Sequence, residues 1–167
     1  MWNGYYTWIS NVNYILAEEE TMSGSETEKN YVLGQAYAVR AYSYFMLAQM
    51  FSRTYKGHES EPCVPLYTEP TDIATEGKGR ATVEEVYQQI TSDLDKAITM
   101  LGNSGKRKHI SHINEAVASG IKARVALVME DWQTALDAAN AAISKSGCSI
   151  GTGTAVTGGM NDATANN

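Results

Sequence analysis

The chain has 167 residues, 43% hydrophobic and 19% charged, enough for one globular domain with a real core and wrong for a disordered chain. A net charge of −6 excludes a nucleic-acid surface, which needs clustered Lys and Arg. No stretch reaches the ~18 uninterrupted apolar residues of a membrane span, and Cys63 and Cys148 are too few for a disulfide framework.

Five segments carry a helical period and none carries a convincing strand alternation. The first places Trp2, Tyr5, Ile9, Val12 and Leu16 on one face and fades in Glu18, Glu19 and Glu20. Nothing at its start resembles the basic region and apolar segment of a signal peptide. A pattern already running at residue 2, and a Gly/Thr/Asn-rich close, read as a fragment of a longer helical protein. We expect residues 1–150 to form a helical domain and residues 151–167 to be a truncated tail.

The second segment opens on a capping box, Ser25 with Glu28, and runs to Phe51. Tyr37, Ala41, Tyr44, Ala48, Phe51 and Tyr55 form one stripe, widened by Ala38, Tyr42, Phe45 and Met46. So wide an apolar arc predicts neighbours on more than one side. An insertion over residues 56–81 follows, holding Pro62, Pro65 and Pro70, and loops this long are often functional.

A second capping box, Thr82 with Glu85, starts the third helix, which carries Val83, Val86, Tyr87, Ile90, Leu94, Ala97, Ile98 and Leu101 to an expected stop at Gly102. The fourth helix is predicted over residues 113–129. It has Ala116, Gly120, Ala123 and Leu127 on one side, and Val117, Ile121, Val125 and Val128 beside them. Asp131 caps a fifth helix whose expected packing face is Trp132, Ala135, Leu136, Ala139, Ala142 and Ile143. So short a turn makes helices four and five antiparallel neighbours. Together they span about 34 residues, the tetratricopeptide period. The predicted fold is therefore all-α: antiparallel helix pairs of tetratricopeptide-like type, with a long irregular insertion between helices two and three.

Chemical constellations are weak. His109 and His112 lack a third ligand for a metal. His58, Glu61 and Cys63 are explained by a polar loop. The run from Gly77 to Arg80 lacks phosphate-loop spacing, and the glycines at 151 and 153 have no preceding strand. We expect no enzyme, no metal and no cofactor.

The order of the segments resembles the SusD/RagB family of nutrient-binding outer-membrane lipoproteins. Its RAxxYFxLxxxF helix is matched by Arg40, Ala41, Tyr44, Phe45, Leu47 and Phe51. Val64, Pro65 and Leu66 match its V-P-L. The next helix entry is matched by Arg80, Thr82, Val83, Glu85, Val86 and Tyr87, with Asp93, Leu94 and Ala97 after it. Asp131, Trp132 and Ala135 match its closing motif, and Trp2, Tyr6, Ile9 and Asn13 match its first. Ser52 stands where the family usually has Gly, and the family's lipidated cysteine and large C-terminal half have no counterpart here.

The resemblance implies binding: a glycan or peptide nutrient held at the cell surface, with a TonB-dependent, SusC-like transporter as partner. The helices are expected to act as scaffold, with Arg40 buried against loop carbonyls or a carboxylate, because a buried guanidinium must be paired. The aromatic residues least committed to a core are Trp2, Tyr5, Tyr55 and Tyr67, which makes them the expected ligand contacts. A self-standing tetratricopeptide module that binds a protein segment is the alternative.

Overall fold

A computed structural model describes residues 1–148, so the expected tail over residues 151–167 lies outside the described residues. Among these residues the chain forms five helices and one small antiparallel sheet: α1 (Trp2–Ala17), α2 (Glu26–Phe51), β1 (Pro62–Pro65), β2 (Arg80–Thr82), α3 (Val83–Gly102), α4 (Glu115–Met129) and α5 (Trp132–Ser146). The all-α expectation holds.

Both capping boxes form. Ser25 accepts from the Glu28 amide and Thr82 from the Glu85 amide, while each Glu carboxylate accepts from the cap residue's own amide. Asn114 caps α4 and Asp131 caps α5. The helix α3 ends at Gly102 as expected, but its C-cap is Asn103 at φ −99°, so no left-handed glycine closes it. Left-handed caps close α4 at Glu130, with φ 60°, and α5 at Gly147, with φ 66°.

As its wide apolar arc predicts, α2 is the central helix. It is buried around most of its circumference, from Tyr31 and Leu33 to Leu47 and Ala48, and packs against α1, α3, α4 and β1. At Gly34 the approach is so close that an added methyl would lie 2.8 Å from the Leu101 side chain and 3.2 Å from its amide nitrogen. One core joins Ile9, Tyr44, Phe45, Val64, Tyr87 and Ile90.

The insertion is less irregular than expected. Pro62 pairs with Thr82 and Pro65 with Arg80, a ladder hidden in the sequence because proline has no amide to donate and weakens the strand pattern. Arg80 supplies what the prolines cannot: its guanidinium donates to the carbonyls of Cys63 (2.6 Å), Pro62 (2.8 Å) and Phe51 (3.2 Å).

The helix α5 departs most from expectation. It packs on α4 alone among the described elements, with Ala135 and Ala138 buried and Gly120 of α4 against Ala142. The expected packing face is instead largely open, with Trp132 63%, Leu136 55% and Ile143 69% exposed. Leu127 and Val117 of α4 are also exposed. Phe51 ends α2 at 42% exposure rather than inside the core.

Candidate functional site

Arg40, on the buried side of α2, is the hub of the site. Its Nε and Nη2 donate to the two Asp93 carboxylate oxygens at 2.8 and 2.7 Å, a planar two-point pair. Its Nη1 donates to Asn13 Oδ1 (2.8 Å) and to the Thr68 carbonyl (3.2 Å). Burial opposes the charge, but the bond and charge of Asp93 outweigh it and hold the guanidinium above its ordinary pKa. Gln89 donates a further bond to Asp93, so this buried pair is fully satisfied, as a buried pair must be.

From that hub the two helices grip the loop that follows β1. Asn13 Nδ2 donates to the carbonyls of Tyr67 (3.0 Å) and Glu69 (3.1 Å). The Tyr44 hydroxyl donates to the Tyr67 carbonyl (2.8 Å) and accepts from the Tyr67 amide (2.7 Å). Tyr6 donates to the Pro65 carbonyl (2.7 Å) and Tyr14 to that of Thr71 (2.8 Å). Burial pushes the phenols of Tyr6 and Tyr44 above their usual range, which keeps both as neutral donors. The loop thus spends its backbone acceptors on helix side chains and needs no strand of its own.

Tyr6 also links an aromatic string. Its ring lies 4.8 Å from Trp2, 6.4 Å from Tyr44 and 6.2 Å from Tyr67. Trp2, 38% exposed, meets Phe51 edge-on at 4.8 Å. Of the four expected ligand contacts, Trp2 and Tyr67 therefore come together through Tyr6. Tyr5 pairs with Trp8 (5.4 Å) and Tyr55 with Tyr87 (5.1 Å), outside the string. The motif residues Tyr44, Phe45 and Tyr87 are buried, Pro65 lies in β1 and Thr82 caps α3. Trp132 is on the open face of α5.

Sequence reasoning missed Tyr6, Asn13 and Tyr14 as loop anchors. Their signal was present: a buried-face Asn and tyrosines on α1 have polar ends that must find partners. His112 bonds the Tyr31 hydroxyl and His109 the Ser111 hydroxyl. His58 faces the Thr54 carbonyl, Glu61 pairs with Arg53 at 3.4 Å, and Cys63 is buried beside Ser52, so these three do not converge.

The family model described as starch-binding, associating with the outer membrane, and termed SusD-like, matches residues 1–127. Among solved structures, the chain is similar to a SusD-like carbohydrate binding protein from Bacteroides vulgatus, at 29% identity and a TM-score of 0.81, over 89% of this chain and 32% of that one. A SusD superfamily protein from Bacteroides thetaiotaomicron shares 30% identity at a TM-score of 0.76, over 87% and 32% of the two chains. For NanU of Bacteroides fragilis the values are 27% and 0.68, over 89% and 29%. The chain thus spans about a third of the length of these solved relatives. No curated protein matches.

Proposed function

Because the chain belongs to the SusD-like family of starch-binding proteins associated with the outer membrane, we propose that it is the helical scaffold of a cell-surface glycan-binding protein. In this reading residues 1–150 form one unit that fixes a binding loop and an aromatic string. A peptide nutrient is the less favoured cargo. A TonB-dependent, SusC-like transporter is the partner to which the bound nutrient passes.

The observation that carries the reading is the grip on residues 65–71: five loop carbonyls are held by Tyr6, Asn13, Tyr14, Arg40 and Tyr44. A loop so tied is ordered before any ligand arrives, which lowers the ordering cost of binding. Beside it, Trp2 and Tyr67 offer the flat apolar faces on which sugar rings stack. A glycan needs several such groups converging, and this chain spans only a third of its relatives. Calorimetry against starch, laminarin and sialylated oligosaccharides should therefore give binding no tighter than about millimolar, ~4 kcal/mol. Micromolar binding lost on Trp2→Ala or Tyr67→Ala would place the main site in this chain and overturn the division into scaffold and binding surface.

The open face of α5 favours a second reading, a helical module that docks a protein segment. Capture of an amphipathic peptide that competes at Trp132 would favour it over the first.

A further inference from the structure

A cleft of about 260 Å³ lies between α1 and the gripped loop, lined by Tyr6, Ser10, Tyr67, Thr71, Asp72 and Thr75. It equals roughly eight or nine water volumes and falls below the ~300 Å³ at which drug-sized ligands are held. A single ring fits that size; an extended chain does not.

The chemistry of the lining is mixed in a particular way. The rings of Tyr6 and Tyr67 stand nearly perpendicular, at 84°, and supply aromatic carbon. The Asp72 carboxylate uses only one oxygen: Oδ1 accepts from the Ala74 amide and the Thr75 hydroxyl, each at 2.9 Å. Its Oδ2 has no hydrogen-bond partner among the described residues, and neither do the hydroxyls of Ser10 and Thr71. A pyranose presents the complementary surface, an apolar C–H face edged by hydroxyls that both donate and accept.

We propose that this cleft is a subsite for one neutral pyranose ring, with Asp72 Oδ2 accepting from sugar hydroxyls and Ser10 and Thr71 completing the polar edge. This inference rests on the glycan-binding reading and deepens it. Neutrality follows from the charges around the cleft. The bonds from Thr75 and Ala74 hold the Asp72 carboxyl below its usual range, hence ionised at neutral pH. Asp72 is the one charged side chain lining the cleft among the described residues, and the Lys78 ammonium sits 5.5 Å over the Tyr67 ring. A uronic acid seated there would bring its carboxylate against that of Asp72.

Titrating the full chain with methyl α-glucopyranoside into the tens of millimolar, followed by amide chemical shifts, tests it. Saturable shifts at Ser10, Tyr67, Asp72 and Thr75 are expected. Asp72→Asn keeps the Oδ1 acceptor while replacing the free oxygen with a donor, and should weaken binding about tenfold, as for loss of a charge-assisted bond. Ser10→Ala should weaken it too, glucuronate should bind less well, and Asp95→Asn on the far side of α3 should change nothing. Shifts confined to Trp2 and Phe51 would overturn the subsite and leave the glycan reading intact. No shift with any monosaccharide would also overturn it, and the glycan reading then rests on the oligosaccharide calorimetry alone.

Discussion

The two ends of this molecule use amphipathic helices in opposite ways. At one end, α1, α2 and the loop after β1 are joined by a buried polar network, with Asn13, Arg40 and Asp93 all removed from solvent. At the other, the α4–α5 hairpin packs through small residues such as Ala135 and Ala138 and leaves its large apolar side chains outside. Specific polar partners fix one region, and close backbone approach fixes the other. Stability should therefore be sensitive to single atoms at the first end and tolerant at the second.

The largest effect should come from breaking the hub. Arg40→Met removes one partner of a buried pair and strands the Asp93 carboxylate, at a cost of about 3–5 kcal/mol, read as a lower urea midpoint. A loss below 1 kcal/mol would mean that water reaches Asp93 and would dissolve the contrast. Tyr44→Phe comes next: it leaves the Tyr67 amide without its acceptor and the Tyr67 carbonyl with Asn13 alone, and should cost about 1–3 kcal/mol. Faster hydrogen exchange of the Tyr67 amide would tie that loss to the grip.

Acid should act on both ends alike, and more gently. The Ser25 hydroxyl lowers the Glu28 pKa, the Thr82 amide that of Glu85, and the Thr134 side chain that of Asp131. All three pKa values are depressed on folding. Their contribution is thus complete above the unfolded carboxylate pKa and is lost as pH falls through the folded values. Glu85→Gln should flatten the acid limb of a stability-against-pH curve, and an unchanged limb would show that the cap does not titrate. The smallest effect is expected on the open face. Trp132→Gln with Leu136→Gln should shift stability by no more than about 0.5 kcal/mol per site, and a larger loss would mean that this face is covered in solution.

The same contrast explains what could be read in the sequence. Capping boxes are local, four residues long, and both were legible. The central position of α2 followed from its wide apolar arc. Arg40 was legible as a buried, paired guanidinium, yet not its partner, because Asp93 lies 53 positions away and nothing local marks the pairing. The burial of α5 was misjudged for a related reason. Periodicity identifies an apolar face but not whether a neighbour exists to cover it, and the buried alanines sit beside the stripe of larger residues. Tyr67 was singled out as an uncommitted aromatic, whereas the cleft residues Ser10 and Asp72 carry no pattern. They matter only through a loop whose path the helices dictate.

That path has a consequence for how such a protein can change. The helices hold residues 65–71 almost wholly by main-chain atoms, the carbonyls of Pro65, Tyr67, Thr68, Glu69 and Thr71 and the amide of Tyr67. A grip on the main chain is indifferent to what each residue carries beyond its Cα. Side chains along this segment can be exchanged while the mould that shapes it stays in α1 and α2. Loop positions can thus be rewritten without renegotiating the fold.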